Sequence, residues 1–239
     1  HDIHDWDATE VPVLADITIG GQPRKVLMFA NRNGYYYTLD RTNGKVIAAK
    51  PFVTTNWAEG LDRDGRPILT PGHTPDEKGT FTCPDVTGGT NFWQPSYDPS
   101  TQTFFVNARE VCATYYAWKP EYTQGERFTG GAAQRATGPA FEVYGALRAI
   151  DPATGDRKWE FRYPSPSTAG LLTTASGLIF SGDGDGNLLA LDSRSGKLLW
   201  RYQMGATMHG TSPITYMLDG RQHVLVPAGT TLTAWALPK

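Results

Sequence analysis

No apolar run in the 239-residue sequence approaches the roughly 18 to 20 residues that a membrane-spanning helix needs, because Gly, Asp or Pro interrupts every candidate. Charge of one sign is equally scarce. Lys and Arg number 22 against 24 Asp and Glu, the net charge is -2, and neither sign forms a run of five or six, so the chain offers no basic block to nucleic acid or an anionic membrane. Only two cysteines occur, Cys83 and Cys112, in neither CxxC nor CxxCH. Zinc and covalently attached haem therefore lack their usual ligands. The pair reads either as a disulfide, closing a loop worth about 3 to 4 kcal/mol in an oxidising compartment, or as two separate buried thiols. The opening residues HDIHDWDATEVPVL have no initiating Met, basic segment or apolar stretch, and read as the interior of a longer protein.

What the sequence does have is turn residues and aromatics. With 26 Gly, 17 Pro, 39% hydrophobic and 12% aromatic residues it describes a turn-rich globular protein rather than a disordered or collagen-like one. Long helical patterns are missing. An internal repeat carries most of the information: AIDPATGDRKW at 149–159 lies over ALDSRSGKLLW at 190–200, matching Ala149 with Ala190, Asp151 with Asp192, Gly155 with Gly196 and Trp159 with Trp200. A third copy, TLDRTNGKVIA at 38–48, keeps Asp40 and Gly44 but has Ala48 in the tryptophan position. The pattern predicts a hairpin in which the Asp carboxylate caps the turn amides, Gly supplies positive φ, and the Trp docks on a neighbouring unit.

Short strand candidates surround these repeats, among them VLADITI, KVLMFAN, YYYTLD, TFFVNA, GLIFSGD, NLLALD, KLLWRY, HVLVPAG and LTAWAL, each bounded by Gly, Asp, Asn or Pro. A period near 40 to 45 residues with several strands per repeat is the pattern of a β-propeller blade. The expected fold is all-β, with four-stranded antiparallel blades at about 10–50, 90–163, 168–204 and 211–239 and an excursion at 53–90. Four blades do not close a ring of usual width, and open strand edges require a cover. The last group is one outer strand short.

Specific stretches then resemble the methanol- and ethanol-type PQQ-dependent (quinoprotein) alcohol dehydrogenases, which are eight-bladed propellers with tryptophan-docking repeats. They are HDIHDWDAT at 1–9, ANRNGYYYTLDRTNGK at 30–45, NWAEGLDRDGRP at 56–67, GGTNFWQPSYDP at 88–99, SGLIFSGDGDGNLLALD at 176–192 and TSPITYMLDGRQHVLVPAG at 211–229. The resemblance implies about four of eight blades, forming the C-terminal half. It places Arg32, in NRNG at a strand end, against the quinone oxygens of PQQ, where a guanidinium polarises the carbonyl that receives hydride. Asn91 in GGTN matches the family asparagine on the quinone edge, although Phe92-Trp93 stands where members commonly have Trp directly after Asn. Asn187 in DGDGN and Gly229-Thr230 align with cofactor-facing loops, either as PQQ carboxylate contacts or as ordinary blade turns. Family members also favour the disulfide reading of Cys83 and Cys112, flanking the Asn-bearing loop.

Other residues carry no chemistry of their own. SGDGDGNLLALDSR lacks the ligand spacing of an EF-hand, and His1, His4 and Asp5 form no triad or metal helix, their segment being structural in the family. Trp118, Trp159 and Trp200 read as docking or core aromatics. The resemblance puts the catalytic aspartate, the ligands of a calcium or lanthanide ion, a vicinal disulfide and a ring-stacking Trp before residue 1, so this chain alone is expected to be inactive. It further implies a small primary alcohol as substrate, an N-terminal half-propeller as partner, a cytochrome c as electron acceptor and a periplasmic location. Two other readings compete: a non-enzymatic propeller scaffold for protein assembly, and a sugar or polyol dehydrogenase of the same superfamily, with segment 53–90 as substrate determinant.

Overall fold

The computed structural model describes residues 2–136 and 141–237; His1 lies outside the described residues. The chain forms twenty strands and, among the described residues, no helix. The first sheet is β1 (Val13–Ile19), β2 (Gln22–Ala30), β3 (Tyr35–Asp40) and β4 (Val46–Pro51), paired in chain order. A hairpin of β5 (Ala58–Leu61) and β6 (Pro67–Leu69) follows, then β7 (Thr80–Thr82). Strands β8 (Ser96–Asp98) and β9 (Thr103–Glu110) begin the second sheet, and β12 (Tyr144–Ile150) and β13 (Arg157–Tyr163) complete it in the order β13-β12-β9-β8. Between its halves, β10 (Ala113–Ala117) and β11 (Gly131–Arg135) leave to pair with β7 as a small separate sheet. The third sheet is β14 (Leu172–Thr173), β15 (Leu178–Gly182), β16 (Asn187–Asp192) and β17 (Leu198–Gln203). The last has three strands, β18 (Ile214–Leu218), β19 (Arg221–Ala228) and β20 (Thr231–Trp235).

These sheets are propeller blades stacked face to face, and the burial pattern follows from that stacking. All eight residues of β9, TFFVNARE, are buried because both faces of the second sheet are covered. Phe104 points to the first sheet, joining Val26, Met28 and Tyr36, while Phe105 points to the third, joining Leu147, Ile179 and Leu191. In β16 the alternation repeats, with Leu189 in the core shared with the second sheet and Leu188 packed beside Val224 and Val226 of the fourth. β19 has a covered face on one side only and shows the strict alternation ieiBiBiB in residue burial, as a half-solvated strand should.

The repeated hairpins have one geometry. Asp40, Asp151 and Asp192 each use Oδ1 to accept the backbone N–H two residues on, at 2.8, 2.8 and 3.1 Å. Gly44, Gly155 and Gly196 take φ of 74°, 75° and 69°, and a bulge recurs at Thr38/Leu39, Ala149/Ile150 and Ala190/Leu191. Trp159 then docks on the next blade: its Nε1 donates to the Ser193 carbonyl at 3.2 Å, and a Cβ on Gly196 would sit 2.5 Å from the indole. Where the first copy lacks the Trp, Lys50 takes over, its stem against Gly155 and its Nζ 2.6 Å from Asp156. Trp200 meets the last sheet edge-on at Trp235, 5.5 Å between rings, and stays 40% exposed.

The excursion at 53–90 is tied into the second group, because β7 joins β10 and β11 from within 90–163. Strand pairing at long sequence separation leaves no local pattern to read. Cys83 and Cys112 tie the two segments as a disulfide, with Cα atoms 4.4 Å apart.

Candidate cofactor-binding site

Antiparallel order sends the docking hairpins to one end of the sheets and the β2–β3, β15–β16 and β19–β20 turns to the other, together with the connections between sheets. Arg32, Asn91, Asn187, Gly229 and Thr230 all belong to this second end. The inter-sheet connections there are hydrogen-bonded into a continuous rim. Leu171 N–H donates to the Gln94 carbonyl at 2.9 Å, Gly170 N–H to Thr211 at 2.8 Å, and Thr211 Oγ1 to Pro227 at 3.2 Å, while Ser212 Oγ bonds the Gln94 side chain.

Arg32 sits in a turn that the sequence builds locally. Asn31 and Asn33 accept amide hydrogens with their side chains, from Asn33 and Tyr35 respectively, and Gly34 closes the turn at φ 94°, where any Cβ would meet Thr55 Cγ2 at 2.6 Å. The Arg32 guanidinium is half-buried and anchored by Nη2, which donates to the Val86 carbonyl at 2.6 Å. Nη1 makes no hydrogen bond among the described residues, and Nε is buried without a partner.

The turn from Asp85 to Asn91 fixes Arg32 from outside. Gly88 lies directly on it, so that a Cβ there would stand 2.7 Å from Arg32 Cα, and Gly89 N–H donates to the Arg32 carbonyl at 2.9 Å. The two glycines thus permit close approach to Arg32 itself. A buried ion pair holds this turn: Arg109 Nη1 and Nη2 reach the two oxygens of Asp85 at 2.7 and 3.1 Å, Nη1 also donates to Gly88 O at 2.8 Å, and the Arg109 backbone N–H donates to Gly89 O at 2.8 Å. Asp85 N–H donates to Val111 O at 2.7 Å, adjacent to the disulfide. From below, Trp6 Nε1 donates to Asp85 O at 2.9 Å, which gives the HDIHDWD segment its structural role. His4 and Asp5 form no catalytic group there; His4 stacks on Trp6, and desolvation by burial, with His73 adding to it, lowers its pKa to about 4.

Asn91 stands on the same turn. Its Nδ2 donates to the Thr87 carbonyl at 2.8 Å, the neighbour of the carbonyl that anchors Arg32, and its Oδ1 accepts from Phe92 N–H at 2.8 Å and Thr9 Oγ1 at 3.2 Å. The structure therefore brings Arg32 and Asn91 together, with the Asn91 amide spoken for by its own turn and by Thr9. Asn187 lies on the third sheet and Gly229–Thr230 on the last. Asn187 Nδ2 and backbone N–H both donate to Asp183, at 2.7 and 2.8 Å, an ordinary blade-turn arrangement. Gly229, at φ 55°, packs on Ala206 and donates to Thr207 O at 3.1 Å, while Thr230 is exposed and without hydrogen bonds among the described residues.

Among the described residues most of the buried polar atoms without partners lie at this end, Thr101 Oγ1 of the β8–β9 turn being at the other. Arg32 Nε, Thr90 Oγ1, Trp93 Nε1, Arg109 Nε and both carboxylate oxygens of Glu10 are in this state. Such atoms cost free energy and are scarce in folded proteins, so their concentration around one turn marks a site. Glu10 is shifted well above an ordinary carboxyl: desolvation by burial raises its pKa to about 7, partly opposed by nearby backbone N–H groups and the Arg32 guanidinium. Among the described residues no three His, Cys, Asp or Glu side chains converge as a metal site.

Sequence reasoning missed Glu10, Asp85 and Arg109. A signal existed for Arg109, since TFFVNARE puts a charge inside an otherwise apolar strand, and a buried charge requires a partner. The partner's identity was not readable, because Asp85 lies 24 residues away in an irregular turn.

Residues 1–53 and 161–224 match the family described as glucose/ethanol/alcohol dehydrogenase, beta-propeller domain. The chain is 36% identical over 234 residues to the 1-butanol dehydrogenase (cytochrome c) of Thauera butanivorans, covering 94% of this chain and 34% of that protein. To the lanthanide-dependent methanol dehydrogenase of Methylacidiphilum fumariolicum it is 34% identical, covering 95% and 38%. The crystal structure of the quinohemoprotein alcohol dehydrogenase of Comamonas testosteroni superimposes with a TM-score of 0.87 at 35% identity, covering 95% of this chain and 35% of that one. The chain thus spans little more than a third of the length of these relatives and corresponds to their C-terminal part.

Proposed function

The chain belongs to the PQQ-dependent (quinoprotein) alcohol dehydrogenases, as part of their β-propeller, and from that membership we propose that it forms one wall of a site in which PQQ oxidises a primary alcohol or similar hydroxyl substrate. One observation carries the reading. Arg32 is fixed through Nη2 on Val86 O with Nη1 unengaged and Nε buried without a partner, at the end of the sheets where the rim is continuous. A scaffold has no use for a guanidinium held in this way, whereas an electron-rich quinone edge supplies an acceptor for Nη1.

PQQ, when bound, supplies the hydride acceptor. The residues of this chain do the rest of what it contributes. Arg32 presents a permanent positive charge where negative charge grows during transfer, and its anchoring means that little reorganisation is needed at that moment. The Asp85–Arg109 pair and the glycine contacts keep the Arg32 turn in place. Asn91 shares that turn and contributes its amide dipole; Asn187 and the Gly229-Thr230 turn extend the rim, with Thr230 the group free to donate to a PQQ carboxylate. The proton-abstracting aspartate and the ligands of a calcium or lanthanide ion are assigned to a partner half-propeller, the ion acting as Lewis acid. A cytochrome c is the proposed electron acceptor, in keeping with the name of the butanol-oxidising relative, and a periplasmic location suits the disulfide.

The decisive experiment is steady-state oxidation of primary alcohols, with an artificial electron acceptor, by the PQQ-loaded assembly of this chain with its partner half-propeller. Arg32→Ala should lower kcat by about 10²- to 10³-fold, the usual cost of losing a group that stabilises developing negative charge. An unchanged kcat, or no turnover in the presence of PQQ with either calcium or a lanthanide, would leave a scaffold as the better description.

A further inference from the structure

Two glutamates of this chain are equally hidden but differently treated. Glu110 is 5% exposed, and its carboxylate pairs with Arg148 at 2.7 Å and accepts Thr54 N–H at 3.1 Å. Glu10 is 7% exposed, and neither oxygen has a hydrogen-bond partner. The first is what a structural carboxylate looks like. The second leaves an acid in a dry environment, polarised only by the backbone N–H groups of Glu10 itself, Arg32 and Thr9 and by the charge of Arg32.

Its placement is not accidental to the site. Thr9, the preceding residue, donates its hydroxyl to Asn91 at 3.2 Å, and Glu10 lies within electrostatic reach of the Arg32 turn, so the segment Thr9–Glu10 bears on both members of the Arg32–Asn91 pair. Arg32 Nε, buried and unpartnered, is the complementary group. We propose that Glu10 is a positioning residue for Arg32: an internal counter-charge whose buried carboxyl governs how strongly the guanidinium holds an electron-rich quinone edge. The proposal rests on the reading of Arg32 as the group that faces PQQ.

The physics is a competition for one cation. While Glu10 carries its proton it is neutral, and the whole charge of Arg32 is available to the ligand. Once ionised, the carboxylate draws on the same charge at short range in a poorly solvated place, where such interactions are little screened. Among the described residues the neighbouring groups do not take over: Tyr115, which also faces Arg32 and Asp85, has its pKa pushed further up by burial and stays neutral across this range. The Thr90–Trp93 stretch has no titratable side chain, the Asp85–Arg109 pair neutralises itself, and Asp7 on the segment of Glu10 is exposed. Burial holds the Glu10 proton to about pH 7, so the exchange falls in the neutral range.

The test measures PQQ dissociation from the PQQ-binding protein by absorbance, from about pH 5 to about pH 9, for wild type, Glu10→Gln and Arg32→Ala. Wild-type affinity should fall about tenfold as pH rises through neutrality, the change expected when the ligand and one proton are coupled by a single pKa unit. Glu10→Gln, neutral at every pH, should bind throughout as the wild type does at low pH. A Gln variant with the wild-type pH dependence overturns the role of Glu10. If Arg32→Ala binds PQQ as tightly as wild type, the reading of Arg32 falls and the Glu10 inference falls with it; if Arg32→Ala binds weakly but Glu10→Gln changes nothing, only the inference falls. Should the Gln variant not fold, Glu10→Asp retains the charge on a shorter arm and should bind PQQ with the same form of pH dependence at a displaced midpoint. A midpoint left in place would count against the proposal.

Discussion

The two ends of the stacked sheets solve opposite problems. At the docking end the three repeated turns satisfy themselves within five or six residues: Asp40, Asp151 and Asp192 cap their own amides, and Trp159 and Lys50 close the seam to the next blade. At the rim end the loops are long, held by contacts across 24 to 118 residues, and Glu10, Arg32, Thr90, Trp93 and Arg109 leave polar atoms unpartnered. One end stores stability in repeats. The other holds groups in positions that a self-contained fold would not choose, which is where the proposed site lies.

The contrast can be broken most forcefully at the rim. Arg109→Met strands the buried Asp85 carboxylate and should cost about 3 to 5 kcal/mol by urea denaturation, the usual penalty for halving a buried ion pair. Reducing the disulfide should cost about 3 to 4 kcal/mol in the same assay, since the Cys83–Cys112 loop is 29 residues. At the docking end Trp159→Ala, removing a half-buried indole, should cost about 2 to 4 kcal/mol. The effect of Glu10→Gln depends on pH. Folded Glu10 titrates at about 7 against an ordinary 4.5, so its protonation favours the folded state below pH 4.5 and that contribution is lost as pH rises to 7. The variant should therefore melt a few degrees above wild type at alkaline pH and together with it near pH 4; equal melting temperatures at both would refute the buried, proton-holding glutamate. Smallest of all, Trp200→Ala should cost about 1 kcal/mol or less where Trp159→Ala costs several-fold more, because Trp200 is 40% exposed against an incomplete sheet.

The Trp159 and Trp200 pair also explains how much was legible beforehand. Both belong to the same eleven-residue motif, and the motif alone assigned the hairpin, the capping Asp, the positive-φ Gly and a propeller fold. It did not say how well each Trp would dock, since docking depends on the neighbouring blade: Trp159 finds Gly196, and Trp200 finds a three-stranded sheet with exposed β18. Arg32 was visible through its NRNG turn and its family resemblance, and Asn91 through GGTN. Their mutual attachment at Val86 and Thr87 was not, nor was the clamp of Asp85 and Arg109, because neither partner carries a local pattern.

The sequence by itself determined the units: hairpins, blade periodicity, the alternation that buries both faces of β9 and β16, and the family. These follow from interactions between residues close in the chain, where turn chemistry and side-chain period act directly. Tertiary structure alone decided which carboxylates have partners. Glu110 and Glu10 are the same residue type, each beside an apolar run, yet one meets Arg148 and the other lies unpaired next to Arg32, because an electrostatic partner is chosen by proximity in space and by the water excluded around it.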